Sequence, residues 1–472
     1  MPQPDANAFA YLMLGIWPLV SWQLWQRRDH VTALVWTILG GYLLLPPLVR
    51  IDLPALPDLD KASIPSLVAF AFATLALRDR ISFLPQSWLG RMLMALFVLS
   101  PFATVLTNTD PLAAGVLAIP GMRIYDSLAS VANQAIVLLP YFLARRYMAG
   151  PEAPQITLGA LVAGGLAYSL PMLVEARLSP QLNVWIYGFF QHDFSQMMRM
   201  GGFRPIVFLP HGLWVAFFAY MAAMAGLAQA RDCARDQRLR HVLVALYLLA
   251  MVALCKSAGP ATYTLACLPL VLLAPPQLMV RVAALLAGIV ILYPILRGAD
   301  LVPINAIIDI AQSISPDRAG SLGFRVDNEN ALLVHAAQRP WFGWGGYGRN
   351  LLYDAQTGRS LSIADGYWII VLGIYGWVGY LAEFGLLVLP LVLLAREVSR
   401  KGVPPLPLAT GVLALIHAVN LVDLLPNATS IPFTWLMAGA LLAQAERLRA
   451  TGQNLRSIGS PRLAQAASRT VL

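Results

Sequence analysis

Apolar stretches long enough to cross a bilayer recur along most of the chain, separated by short polar segments. Most run for roughly 15 to 22 residues, the helix length that spans a hydrocarbon core of about 30 Å. The pattern predicts spans at 8–26, 31–49, 63–77, 88–106, 128–144, 156–174 and 206–228. The second half adds 241–255, 260–274, 279–296, 376–395, 405–424 and 430–445. The third and ninth are short, as tilted, paired or partly re-entrant segments would be. Backbone polar groups find no partners in lipid, so the spans must be helical. The expected fold is all-α: a polytopic transmembrane bundle of about 12–13 spans with a large loop carrying short helices.

The polar segments alternate in charge. Arg27/Arg28, Arg78/Arg80, Arg145/Arg146, Arg231/Arg235/Arg238/Arg240, Arg281 and Arg396/Arg400/Lys401 fall in every second connection. The connections between them are acidic or mixed, as with Asp52, Asp58, Asp60 and Asp110. Basic connections stay in the cytoplasm, which places the N-terminus outside and the C-terminus inside. Four regions follow. Residues 1–296 form the first ten spans with an outer loop at 175–205, and 297–375 form a large outer loop. Residues 376–445 form the last three spans, and 446–472 a basic cytoplasmic tail expected to be disordered.

Composition agrees with the pattern. The chain is 58% hydrophobic and 12% charged, against about 25% charged residues in soluble proteins. A net charge of +9 would fit a nucleic-acid binder, but the excess lies beside apolar runs rather than in a contiguous stripe. The three cysteines, Cys233, Cys255 and Cys267, lack metal-ligand spacing and give no disulfide framework. No cleavable leader is evident, since no basic segment precedes the first apolar run.

The two long outer loops carry arginines where the charge rule disfavours them. Either long loops simply tolerate charge, or these arginines face an anionic ligand. In 303–314, Ile304, Ile307, Ile308 and Ala311 share one face, which predicts an amphipathic helix. Residues 326–338 predict a second helix with Asp327 as N-cap. Glycine and proline make 339–349 irregular.

Three constellations bear chemistry. Arg199 and Arg204 flank Gly201 and Gly202 and lead through Pro210 and His211 into a span, with His192 upstream. Guanidinium pairs bind phosphate oxygens, and glycines admit a bulky head group. Interfacial anchoring is the alternative. Arg325 and Arg339 bracket a second region, and Lys256 offers a further cation in a short turn. There Trp341, Phe342, Trp344 and Tyr347 would stack on sugar faces or sit in an interfacial aromatic belt. In the third, Asp365 is either a general base toward a sugar hydroxyl or a helix N-cap, with Tyr367 next to it. Gly376, Gly379 and Gly385 indicate close helix approach or a break. Glu383, a rare intramembrane acid, calls for a partner such as an outer-loop arginine. His417, Asn420 and Asp423 either line a polar cavity or pack between helices. Asp327-Asn328-Glu329 has the look of a metal-binding acidic motif, though a very short match, and zinc, P-loop and Ser-His-Asp signatures are missing.

Three of these stretches carry a likeness: Arg199–Leu213; Arg325–Gly348 with its Pro340-Trp-Phe-Gly343-Trp-Gly345; and Asp365–Gly385. In order and topology the chain resembles the bacterial O-antigen ligases and the O-antigen or exopolysaccharide polymerases. Close similarity covers only about 60 residues, each motif being weakly specific alone. The resemblance implies a glycosyltransferase-C-like bundle in the bacterial inner membrane. It implies transfer of glycan from an undecaprenyl-pyrophosphate donor to a sugar hydroxyl at the periplasmic face, in cell-surface polysaccharide synthesis. Arg199, Arg204, Arg325, Arg339 and Lys256 would hold the pyrophosphate, and Trp341, Trp344, Tyr347 and Tyr367 the glycan. Membrane lipid and a chain-length regulator or other polysaccharide assembly protein would be partners, without metal, cofactor or nucleic acid. Where ligases have a histidine base near the end of the large loop, this chain has Asp365. Asp365, His335, His211 or His192 would then be the base, or the leaving group would make a strong base unnecessary. That departure favours a polymerase or divergent member over a ligase. The competing class is a transporter or flippase of lipid-linked oligosaccharide, which calls for a polar central path and often repeats. Here the charge lies at one face, and internal repeats are not evident.

Overall fold

The computed structural model describes residues 5–53, 57–199, 201–314, 316–400 and 405–459. The expected all-α bundle is what they form. The first half contains α1 (Ala8–Arg27), α2 (His30–Leu44), α3 (Ser63–Ala71, prolonged by a wide turn Phe72–Ala76) and α4 (Trp88–Leu106). It continues with α5 (Ile124–Tyr147), α6 (Ala153–Leu178) and the short α7 (Leu182–Tyr187). Next come α8 (Gly212–Asp232), α9 (Arg238–Leu254), α10 (Ala258–Leu273) and α11 (Pro276–Gly298). The large loop carries α12 (Ile304–Ile314) and α13 (Pro316–Ala337). Then α14 (Tyr367–Val398), α15 (Leu408–Asp423) and α16 (Pro432–Gly459) complete the bundle. Strands among the described residues form three antiparallel hairpins: Arg50–Ile51 with Leu59–Asp60, Leu112–Ala114 with Leu117–Ile119, and Met198–Arg199 with Gly202–Phe203.

Eight of the described helices are long and apolar enough to cross a membrane, and α2, α3, α10 and α15 are shorter apolar helices. Several carry an internal proline, among them Pro18, Pro101, Pro140, Pro171 and Pro390. Such prolines are tolerated where neighbouring helices re-satisfy the freed carbonyls. Side-chain caps start α1, α2 and α4: Asn7, Asp29 and Ser87 each accept from a first-turn N–H.

The helix α8 runs through the middle of the bundle, with Phe218 and Tyr220 wholly buried. Its Ala219, Ala222, Ala223 and Gly226 let neighbours approach closely. A Cβ on Gly165 of α6 would meet Ala222 Cβ at 2.6 Å. Between α5 and α16 the approach is tighter still, since a Cβ on Gly439 would lie 2.2 Å from the Tyr141 carbonyl oxygen.

The connections gather at two faces. At the arginine-rich face Arg145 pairs with Glu446 at 2.8 Å and Arg146 with Asp79 at 2.8 Å. There too Gln444 Nε2 donates to the Met148 carbonyl at 2.7 Å. At the other, the loop face, Tyr187 donates to Leu44 O and Lys61 Nζ to both Leu45 O and Phe208 O, each at 2.6 Å.

Three boundaries differ from the sequence reading. The helix α13 begins at Pro316, so Asp327 lies inside it and caps nothing. The span expected to begin at 376 begins at Tyr367, and α14 contains a break at Gly376, with φ 64° and ψ −166°. The tail expected to be disordered is helical through Gly459, and 460–472 lie outside the described residues.

The break in α14 is filled by the glycine-aromatic stretch. Trp377 N–H donates to Pro340 O at 2.7 Å, and Val378 N–H to Trp341 O at 3.2 Å. In return Trp344 N–H donates to Gly373 O at 2.8 Å, and Gly345 N–H to Ile374 O at 2.9 Å. From α4, Thr104 Oγ1 donates to Phe342 O at 2.7 Å and Asn108 Nδ2 to Gly343 O at 2.9 Å. Gly343 and Gly376 are obligatory here: each has positive φ, and a Cβ on either would meet the other strand's backbone at about 2.5 Å.

Gly439→Leu is expected to force α5 and α16 apart and to lower stability by about 1–3 kcal/mol. The check is a thermal melt of the purified protein in detergent, with Gly452→Leu, which has open space around it, melting close to wild type.

Candidate functional site

The loop between α7 and α8 is held rigid from below. Glu175, wholly buried at the end of α6, accepts from Ile206 N–H at 2.8 Å, Val207 N–H at 2.7 Å and Leu182 N–H at 3.1 Å. Gln191 Nε2 donates to Val207 O at 2.9 Å and Leu209 O at 3.1 Å. Tyr168 OH accepts from Phe208 N–H at 3.0 Å. Lys61 holds the Phe208 carbonyl, and burial drives its pKa well below the usual lysine value. Val207 is thereby fixed at φ 51°, a left-handed conformation costly for a β-branched residue.

Upon this base stands a cluster of cations. Arg204 is only 4% exposed; its Nη2 donates to Ser257 Oγ at 2.5 Å, and its buried Nε has no hydrogen-bond partner among the described residues. Burial, together with the charges of Arg199 and Arg325, pushes its pKa down to about 10, so it stays charged at neutral pH. Arg199 sits on the Met198–Arg199 hairpin arm, turned by Gly201 at φ 68°. Its carbonyl accepts from Lys256 Nζ at 3.0 Å. Gly202 makes room for that ammonium, since a Cβ there would lie 2.5 Å from Nζ. Lys256 itself has φ 49°, a second strained residue at the same place.

Arg325 arrives from α13. Its Nε pairs with Asp365 Oδ2 at 3.3 Å, and its Nη1 reaches Pro426 O and Asn427 Oδ1, both at 3.3 Å. Three guanidinium groups and one ammonium thus converge. Among the described residues Asp365 is the one carboxylate in ion-pair contact with any of them. Like charges gathered this way repel, and the arrangement is sustained by a scaffold whose vacant donors suit a multiply charged anion.

His211 belongs to this cluster but is committed. Its Nδ1 accepts from Leu213 N–H at 2.9 Å as the N-cap of α8, and its Nε2 lies 3.3 Å from Gln196 Oε1. Burial and the nearby Arg204 push its pKa down to about 3. His192 stands beside it, ring centroids 4.4 Å apart.

Other expected site residues lie elsewhere. Arg339 donates to Thr107 O and, at 2.7 Å, to Asn108 Oδ1, and covers the Trp344 ring. The His335 ring stacks on Trp344 with centroids 4.2 Å apart, and Trp344 Nε1 donates to His335 O at 2.8 Å. The buried Arg349 donates to Trp344 O, Pro120 O and Asp110 O. These residues form a knot that ties the large loop to the connection after α4. Arg339 therefore serves that knot rather than the cation cluster, and His335 and Trp344 are spent in it. Trp341 and Tyr347 remain exposed, the latter reaching Asp126 Oδ1 at 3.3 Å. Tyr367 turns inward to donate to Glu383, which is the partner of that acid in place of an arginine. Asp365 does not cap α14, whose N-cap is Gly366.

The late polar residues pack between helices. His417 Nε2 lies 2.9 Å from Leu387 O, and Asn420 accepts from Thr434 at 2.6 Å. Asp423 accepts from Asn427 at 3.0 Å and Thr429 at 2.9 Å. In the short acidic motif, Asn328 is bonded to Phe324 O and Ile363 N–H. Among the described residues no cluster of three His, Cys, Asp or Glu is placed to hold a metal ion.

One residue read in the sequence only as part of the short acidic motif becomes a candidate here on other grounds. Glu329 follows Arg325 by one helical turn and is buried against Trp368, whose Nε1 lies 3.4 Å from Oε1. Burial raises its pKa to about 7, against the opposing pull of that hydrogen bond and of Arg297 and Arg325. The signal was the i,i+4 spacing to Arg325, legible only once the helix is known to start at 316.

Fold and site together define a polytopic α-helical membrane protein with a preorganised cationic site at one face. No protein-family model matches the chain, and comparison with curated proteins finds no similar sequence.

Asp365→Asn removes the one paired carboxylate and is expected to tighten inorganic pyrophosphate binding about two- to tenfold. Arg325→Ala is expected to weaken it by a similar factor. Isothermal titration calorimetry at low and high salt checks both, with the differences shrinking as salt rises.

Proposed function

We propose that the protein transfers a glycan from a polyprenyl-pyrophosphate donor to a sugar hydroxyl at the loop face of the membrane. The reaction polymerises or ligates surface polysaccharide such as O-antigen or exopolysaccharide. The observation that carries this reading is the convergence of Arg199, Arg204 and Arg325 with Lys256 around one paired carboxylate. As the anomeric C–O bond breaks, negative charge develops on the departing pyrophosphate. Cations held in place by a rigid scaffold stabilise that charge without reorganising. Arg204 brings a buried Nε with no partner among the described residues, a donor suited to an incoming oxygen. The lipid tail would lie along the apolar bundle and present its head group at this height.

The alternation of basic connections favours an outward loop face, which in bacteria is the periplasmic side of the inner membrane. The resemblance of the three sequence stretches to O-antigen ligases and polymerases points the same way. The flippase reading is weaker, because His417, Asn420 and Asp423 are consumed in helix packing. They do not leave a polar path.

The test is transfer by purified protein in proteoliposomes given a polyprenyl-pyrophosphate-linked oligosaccharide. Arg204→Ala and Arg325→Ala are each expected to cut the rate on the order of 100-fold, with normal membrane insertion. Chain-length distributions on gels that match wild type in both variants would end the proposal. So would movement of the donor across the bilayer without transfer.

A further inference from the structure

The cation cluster explains the leaving group but not the acceptor's proton. Of the four side chains expected to take it, three are occupied, and His192 has its Nδ1 engaged by the Asp193 N–H at 2.7 Å. His211 uses Nδ1 as a helix cap and Nε2 toward Gln196. His335 is stacked on Trp344 within the knot. Asp365 is paired with Arg325.

We infer that Glu329 is the proton acceptor of the transfer reaction, an assignment that rests on the function proposed above. Its Oε1 faces Trp368 Nε1, while Oε2 has no protein donor among the described residues. Glu329 and Arg325 lie one turn apart on one face of α13, so the helix that carries the arginine toward the leaving group carries the acid beside it. The charged and titratable groups around it come from three elements. Tyr293 and Arg297 face it from α11, Arg325 from its own helix, and Asp365 from the segment before α14. None of these comes within ion-pair distance of Glu329, so the carboxylate is not neutralised by a fixed partner. Arg297 is instead held by Asn330 Oδ1 at 2.5 Å.

The step balances. The acceptor hydroxyl oxygen forms a bond to the donor's anomeric carbon, and its proton passes to Glu329. The bond from that carbon to the pyrophosphate oxygen breaks, and the electron pair leaves with the polyprenyl pyrophosphate. A carboxyl group raised toward neutrality by burial is a stronger base than a solvated one, and it is ionised in about half of molecules near pH 7.

The experiment uses full-length protein in proteoliposomes with the lipid-linked oligosaccharide donor and a pH series. Wild type is expected to show a rate that rises with pH through about 7, because the unprotonated carboxylate is the active form. Glu329→Gln, an isostere of the protonated acid, is expected to lower kcat on the order of 100-fold and to lose that rise. Its binding of inorganic pyrophosphate should stay within about twofold of wild type, and its thermal melt should be unchanged. Glu329→Asp should recover part of the rate, and Asp365→Asn should keep the rise. An active Glu329→Gln, or one that keeps the rise, overturns the assignment while leaving the transferase reading intact. Wild type that binds pyrophosphate but transfers nothing overturns both.

Discussion

A membrane helix that breaks exposes amides and carbonyls that lipid cannot satisfy, and this constraint organises the loop face. The break at Gly376 opens α14 just past the point where the large loop feeds into it. The backbone of 340–345 fills the gap, exchanging hydrogen bonds with both sides of it. That insertion fixes the end of α13 through the knot of His335, Trp344, Arg339 and Arg349. With α13 fixed, Arg325 and Glu329 are fixed too. The second half of the site, Arg199 and Arg204, is set by a separate device, the Glu175 carboxylate buried beneath its loop. Two independent scaffolds thus deliver arginines to one place.

Apolar run length made the bundle legible, because a helix in lipid has little freedom to be anything else. Charge alternation divided its connections into a basic and an acidic or mixed set. The start of α13 was hidden because Pro316, Gly320 and Gly323 read as breakers in water. Packing overrides that weak propensity and adds the turns that bring Arg325 and Glu329 onto one helix.

The site was partly legible. Arg204 beside Gly201 and Gly202 read as an anion contact, and the structure gives each glycine a geometric duty there: a left-handed turn and space for Lys256. Arg339 and His335 carried the same chemical signature, yet their partners, Thr107, Asn108 and Trp344, include residues far away in the chain. Nothing local distinguishes an arginine that will find a carbonyl from one that will wait for a phosphate. Glu329 was hidden for the converse reason. Its raised proton affinity comes from burial and from the indole of Trp368, neither written in its neighbours.

The capping role of His211 reaches beyond α8. An imidazole tied to a backbone amide and crowded by guanidinium groups stays neutral far into the acid range. Mild acidification of the medium at this face therefore adds no charge from His211. On the function proposed above, the cluster's attraction for a diphosphate rests on arginine and lysine. On the transfer proposed above, retention of the lipid carrier and speed of its consumption are thereby separable: acidity throttles turnover through Glu329 while the carrier stays in place.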